Sequence, residues 1–94
     1  MRARFYIDPW TESPHISYHE VDEDEVVEVL EHPGEDRPGG EKSRIAIGQT
    51  SSGRYLKVVY APDVAGDGVF VIAAYELSGK ALTAYRRRRR KKQQ

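Results

Sequence analysis

The sequence contains no cysteine, and this absence excludes two common ways of stabilising a small domain. Without cysteine the chain can form neither a disulfide framework nor a thiolate metal site. Its 94 residues correspond to one domain with a modest hydrophobic core, so no deep cofactor site and no cofactor are expected. We predict a protein of a reducing compartment, the cytoplasm, stabilised by its core or by a partner.

Long apolar segments are missing as well. The first ten residues, MRARFYIDPW, lack the apolar stretch of about 7–15 residues found in signal peptides. No segment reaches the roughly 18 apolar residues that a membrane-spanning helix needs. The longest apolar run, residues 69–75, has the length of a buried strand. Contact with a membrane is therefore not expected.

Charge is abundant, but its two signs are separated along the chain. Residues 1–41 carry three basic side chains against twelve acidic ones, a net charge of −9, and residues 42–94 carry the reverse, a net charge of +9. The basic half ends in a run of seven cations at residues 86–92. Such a run indicates a polyanionic partner. RNA, DNA, an acidic protein and the chain's own acidic helix are all candidates, as is a purely solubilising role.

Hydrophobic periodicity predicts an α+β domain with a small antiparallel sheet. The clearest element is a helix over residues 22–32, because Asp22 and Glu25 have capping-box spacing and Pro33-Gly34 provides a stop. A weaker pattern suggests a short helix over 15–20. Alternating or continuous apolar residues predict four strands, at 2–7, 44–48, 55–61 and 69–75, the last of them central.

The remaining segments are predicted from their proline and glycine residues and from their charge. Residues 33–41 combine proline, glycine and charged side chains, which is typical of a loop. Ser78 could begin a last short helix, with a strand as the competing interpretation. Because like charges repel, the run at 86–92 is not expected to fold alone. We therefore predict one domain over residues 1–85 and a disordered basic tail over residues 86–94.

Basic side chains on the predicted strands could form a concave surface together with the C-terminal segment. A surface of this kind can cleave RNA without metal, because arginine neutralises the phosphorane while tyrosine, lysine or histidine moves protons. The competing interpretation is that these are ordinary solvent-facing residues. The candidates are Arg44, Arg54 and Lys57 on strands, and Lys80, Tyr85 and Arg86 beyond them.

Two histidines, His15 and His19, precede the clearest helix. On a helix they would share a face, as a two-histidine metal pair does. No third ligand is evident, so no metal site is predicted. A hydrogen-bonded structural histidine and a catalytic or RNA-contacting one remain the alternatives.

A series of short motifs runs through nearly the whole chain in a recognisable order. Its members are Asp8-Pro9, His19-Glu20-Val21, the acidic helix start at Asp22, His32-Pro33, and the segments 40–48, 51–60, 69–75 and 78–86. In this order and spacing they resemble the BrnT toxins, a family of the RelE/ParE superfamily. The resemblance implies a RelE-like fold with about four antiparallel strands and one or two N-terminal helices.

The same resemblance implies a function. It implies a toxin of a toxin–antitoxin system, a metal-independent endoribonuclease that acts on RNA and is held by a cognate small antitoxin. Four residues match the family pattern as catalytic candidates: His19, Arg44, Lys80 and Tyr85. Five further residues are candidates for contacts with the nucleic acid: Arg54, Lys57, Arg86, Arg87 and Arg88.

One departure from the family pattern favours an alternative. The family's last strand ends in arginine, whereas here it ends in Tyr75, and Glu76 follows. Losing one site cation can cost orders of magnitude in rate. The alternative is a non-catalytic module of the same fold that binds nucleic acid or a protein through Arg54, Lys57 and the tail.

Overall fold

The computed structural model describes residues 2–9, 13–14 and 20–92. Within these ranges the chain forms seven strands and two helices. The strands are β1 (Ala3–Phe5), β2 (Ile7–Asp8), β3 (Ser13–Pro14), β4 (Glu35–Pro38), β5 (Arg44–Gln49), β6 (Tyr55–Pro62) and β7 (Val69–Glu76). The helices are α1 (Glu23–Glu31) and α2 (Gly79–Lys92). The predicted helix over 15–20 falls almost wholly outside the described residues.

Five strands form the main sheet, in the order β1-β7-β6-β5-β4, while β2 and β3 form a separate antiparallel pair. The α+β class is confirmed, but the sheet has five strands rather than about four. It is also mixed rather than antiparallel, because β1 runs parallel to β7. The predicted central strand, β7, is interior, and β6 occupies the centre.

The additional strand, β4, lies within the segment that was predicted to be a loop. It pairs antiparallel with β5, from Glu35 opposite Ile47 to Pro38 opposite Arg44. The backbone groups at the free edge of β5 require partners, and this pairing supplies them. Pro38 is tolerated because it ends a strand at the sheet edge, where no donor is needed.

Helix α1 begins and ends close to where the sequence predicted. The Glu25 carboxylate accepts a hydrogen bond of 3.2 Å from the Asp22 backbone N–H, as in a capping box. Val26 and Val29 are fully buried against the sheet. A Cβ atom at Gly48 would lie 3.3 Å from Val29, so the absence of a side chain at Gly48 lets α1 pack closely on β5.

The two helices pack on opposite faces of the sheet. The α1 face carries the larger core, in which Val26 and Val29 pack with Ala46, Leu56 and Val58. The α2 face carries a smaller cluster of Ile47, Leu77 and Tyr85. A register shift between β6 and β7 at Val59/Tyr60 leaves Ile72 without a partner in the ladder and 37% exposed.

Helix α2 continues through residues that the sequence analysis assigned to a disordered tail. Residues 86–92 form its second half. Arginine and lysine are good helix formers, and cations near a helix C-terminus interact favourably with the helix dipole. Two of these arginines, Arg88 and Arg89, are also bound by groups elsewhere in the fold. Neither described helix is long and apolar enough to cross a membrane.

Candidate nucleic-acid interface and adjoining cleft

The structure separates two of the predicted catalytic residues, Arg44 and Tyr85. Side chains alternate between faces along a strand, so Arg44 shares the α1 face with Ala46. Tyr85 packs instead on Ile47, on the α2 face. The sheet therefore lies between Arg44 and Tyr85, and the two do not belong to one site.

On the α1 face, Arg44 is held by an ion pair. Its Nε donates to the Asp36 carboxylate at 3.0 Å, and the Tyr60 hydroxyl donates to the same carboxylate at 2.6 Å. The hydrogen bond to Asp36 raises the pKa of Arg44. Burial, followed by the bond to Asp36, raises the pKa of Tyr60. This arrangement fastens the edge strand β4 to β5 and β6.

Arg54, predicted to contact nucleic acid, is bound within the fold. Its Nη1 donates to the Glu25 carboxylate at 2.9 Å and to the Glu20 carbonyl at 3.0 Å. Its Nη2 also lies 3.7 Å from the Glu76 carboxylate. With these partners Arg54 connects the start of α1 to the β6–β7 hairpin, and few of its donors remain for phosphate.

Lys57 and Arg86 lie over tyrosine rings on the α2 face. The Lys57 Nζ is 5.6 Å from the centre of the Tyr75 ring, and the Arg86 guanidinium is 5.5 Å from the centre of the Tyr55 ring. Both cations remain partly or fully exposed. Cations above rings form a surface on which the bases and phosphates of single-stranded RNA can be bound together.

Six of the α2 cations other than Arg86 divide into two sets. Arg88 makes two hydrogen bonds to the Glu35 carboxylate, of 2.7 and 3.0 Å, and Arg89 donates to the Gly34 carbonyl at 2.7 Å. These two arginines fasten the helix to β4. The other set faces solvent with helical spacing and no carboxylate partner among the described residues. We call this set the outer stripe, and its members are Lys80, Arg87, Arg90 and Lys91.

A cleft of about 370 Å³ lies beneath the second half of α2, next to the end of α1. It is lined by His32, Pro33, Gly34, Gln49, Tyr55, Tyr85 and Arg89. Tyr55 and Tyr85 meet edge to face, with their ring centres 6.1 Å apart. No carboxylate is among the described residues of this lining, so the cleft presents mainly hydrogen-bond donors and aromatic surface.

Tyr85 is the buried member of this lining. Its side chain is 4% exposed, and its hydroxyl makes no hydrogen bond within the described part of the chain. Burial raises the pKa of Tyr85, and the nearby Arg89 guanidinium only partly opposes this effect. The hydroxyl therefore stays protonated at neutral pH and is available to donate a hydrogen bond into the cleft.

The other predicted site residues do not complete a catalytic group around Tyr85. Lys80 lies in the first turn of α2, exposed and outside the cleft lining. His19 lies outside the described residues. Among those described, no cluster of three or more histidine, aspartate or glutamate side chains could hold a metal ion.

Sequence reasoning missed His32 and Arg89, which line the cleft with Tyr85. His32 was noted in the His32-Pro33 motif and at the end of a helix, where its backbone N–H donates to the Glu28 carbonyl at 3.1 Å, but not as a site residue. Arg89 is one of five consecutive arginines, and nothing in the sequence distinguishes it from the others by itself. The spacing of Tyr85 and Arg89, four residues apart on a helix, is the one signal that could have paired them.

Compared with protein-family models, curated proteins and solved structures, the chain shows no significant match.

Proposed function

We propose that the protein binds RNA along the outer stripe of α2. The observation that carries this proposal is a line of solvent-facing cations to which no described carboxylate is bound, beside the exposed Arg86 over the Tyr55 ring. From Lys80 to Lys91 the stripe is about 16 Å long, since a helix rises about 1.5 Å per residue. Phosphates that bind such cations release counterions, which favours association at low salt.

RNA is favoured over an acidic protein by the rings that accompany the charges. Tyr55 and Tyr75 lie beneath cations on the same face of the sheet. Single-stranded RNA exposes bases that stack on aromatic rings, whereas double-stranded DNA does not. In this proposal Lys57, Arg86 and Arg87 are the retained contacts from the sequence analysis, while Arg54 and Arg88 support the fold.

The test compares the wild type with an Arg87→Gln/Arg90→Gln double variant in binding to a single-stranded RNA. We expect the double variant to bind roughly tenfold or more weakly, because charge-assisted contacts to phosphate are lost. The slope of log affinity against log salt concentration should become less steep by about 1–1.5, which is the contribution of two phosphate contacts. Both values can be obtained from fluorescence anisotropy over a series of salt concentrations.

The matched control is Arg2→Gln/Lys42→Gln, which makes the same change in net charge just before β1 and in the turn between β4 and β5. Both side chains are exposed and form no ion pair with another described residue, so their loss should affect the fold little. An equal loss of affinity in the two double variants would mean that net charge alone attracts RNA, and the outer stripe would not be the interface.

The second candidate is a metal-independent endoribonuclease toxin of RelE-like fold, acting in the cytoplasm and held by a cognate antitoxin. The observation that favours it is the position of Tyr85, which shares a cleft with Arg89 and His32. Arginine can neutralise a phosphorane, and histidine and tyrosine can exchange protons with the 2′-hydroxyl and the leaving oxygen. Arg44 and Lys80 have no part in this version of the site.

Controlled expression of the wild type beside Tyr85→Phe tests this candidate. We expect growth arrest and cleaved RNA with the wild type, and a loss of both of at least about 100-fold with Tyr85→Phe. Cleavage by the purified protein should persist in a chelator. Normal growth and intact RNA with soluble wild-type protein would exclude the toxin and leave the binding function.

A further inference from the structure

The cleft beneath α2 has unused hydrogen-bonding capacity. The Tyr85 hydroxyl is buried without a partner among the described residues, although a buried hydroxyl normally has one. Arg89 uses Nη1 to bind the Gly34 carbonyl, and a guanidinium has five N–H donors in all. Both groups adjoin Gly34, on the same wall of the cleft. A ligand that accepts several hydrogen bonds would satisfy them together.

The charge of the cleft indicates which acceptor fits. Arg89 is cationic, the hydroxyl of Tyr85 is a donor, and His32 can add another N–H at the exposed rim. The Glu35 carboxylate, next to Gly34 in the chain, is already bound by Arg88. An oxyanion with several acceptor oxygens therefore fits better than a neutral carbonyl or a cation.

The remaining lining suggests what is attached to that oxyanion. Tyr55 contributes an aromatic ring, and the Gln49 side chain uses its amide nitrogen to bind the Gly53 carbonyl, which leaves its amide oxygen free to accept. A volume of about 370 Å³ lies near the lower end for ligand sites, which is about 300–1,000 Å³. The cleft can thus hold a phosphate with part of one nucleoside, and the rest of any longer strand would lie outside it.

We propose that the cleft is a binding site for the phosphate of a single nucleotide, with Tyr85, Arg89 and His32 as its donors. The phosphate can belong to a free nucleoside monophosphate or to the end of an RNA strand. For the second source the proposal rests on the proposed function, since the outer stripe of α2 would guide the strand toward the cleft. Binding in the cleft itself requires only the donors named here.

The experiment titrates isotope-labelled protein with inorganic phosphate, adenosine monophosphate and adenosine, and follows the ring signals of His32 by NMR. His32→Gln assigns those signals. We expect saturable shifts with phosphate and with the monophosphate, and none with adenosine. In Tyr85→Phe the affinity for the monophosphate should fall at least about tenfold, because one donor to a charged group is lost.

Two controls separate binding from folding. Tyr60→Phe removes a tyrosine hydroxyl on the opposite face of the sheet, where it is bonded to Asp36, and should leave monophosphate binding unchanged. Tyr85→Phe should melt at the same temperature as the wild type or higher, since the part of the chain that the structure describes offers its hydroxyl no partner to lose. Absence of saturable shifts, or equal affinity in Tyr85→Phe and wild type, would overturn the proposal.

A final comparison separates this proposal from the RNA-binding function and identifies the source of the phosphate. If the protein binds RNA but the His32 signals show no saturable shifts with the monophosphate, only the cleft proposal is overturned. If it binds the monophosphate but not RNA, only the RNA-binding function is overturned. If both occur, a 5′-phosphorylated RNA is compared with its 5′-hydroxyl counterpart. Preference for the phosphorylated strand supports an RNA end as ligand, and equal affinity supports a free nucleotide.

Discussion

Replacing Gly34 with alanine is expected to reduce the free energy of unfolding by about 1–3 kcal/mol, the usual cost of forcing extra volume into a packed site. A Cβ atom at this position would overlap the Tyr85 hydroxyl and lie 3.2 Å from the adjoining ring carbon. The backbone cannot easily withdraw, because the Gly34 N–H donates to the Ile47 carbonyl at 2.8 Å and its carbonyl accepts from Arg89. Chemical denaturation measures the change.

The sharper form of this prediction is a double-mutant cycle. Tyr85→Phe removes the overlapping oxygen, so Gly34→Ala/Tyr85→Phe should recover most of the loss, with a coupling free energy of about 1–2 kcal/mol. Gly40→Ala is the matched control, because a Cβ there meets nothing within 4 Å, and its effect should stay within about 0.5 kcal/mol. Additive effects of the two substitutions would contradict the contact between Gly34 and Tyr85.

Replacing Glu35 with glutamine is expected to release the second half of α2. The Glu35 side chain is 9% exposed and receives two hydrogen bonds from Arg88, whose side chain is 39% exposed. Allowing for the solvent that screens Arg88, the local cost should be about 1–3 kcal/mol. Residues 86–92 would then resemble the disordered tail predicted from their charge. Amide hydrogen exchange of these residues should accelerate by about 5- to 150-fold, the same free energy expressed as a rate.

The neighbouring residue provides the control for this experiment. Asp36 also carries a bound carboxylate, but its partners Arg44 and Tyr60 lie on the α1 face. Asp36→Asn should therefore weaken the side-chain contacts on the α1 face, while the Arg88–Glu35 pair and the exchange of residues 86–92 stay unchanged. Unchanged exchange in Glu35→Gln would show that the helix is maintained by its own propensity rather than by this carboxylate.

The parts of the fold that the sequence predicted well are those specified by neighbouring residues. Asp22 and Glu25 mark the start of α1 through contacts only three residues apart. The strands β5, β6 and β7 follow from their own alternation or apolar character. Each of these signals is complete within about ten residues, so no knowledge of the rest of the chain was needed.

The parts that it predicted poorly depend on distant partners. Strand β4 exists because β5 offers a free edge, and the second half of α2 is held by Glu35, 53 residues from Arg88. The parallel pairing of β1 with β7 brings the Arg2 carbonyl against Gly68, a contact without any local signal. Composition alone cannot reveal such partners, and charged segments are especially misjudged when their neutralising groups lie far away.

The candidate site shows the same division. Motif order identified Tyr85, which does line a cleft, but not its neighbours His32 and Arg89. The separation of Arg44 from Ile47 could have been deduced, because residues three apart on a strand face opposite ways. What could not be deduced is that Tyr85 packs on Ile47, and this contact is what removes Arg44 from the site.

The five consecutive arginines of α2 should differ in how well they tolerate substitution. The planar guanidinium of Arg88 donates two hydrogen bonds to Glu35, which lysine cannot do in the same geometry. Even the charge-preserving Arg88→Lys substitution should therefore be poorly tolerated. Arg87 and Arg90 contribute only positive charge, and lysine should serve equally well there. Over evolutionary time such a run should diverge unevenly, with an arginine persisting at position 88 while positions 87 and 90 alternate between the two basic residues.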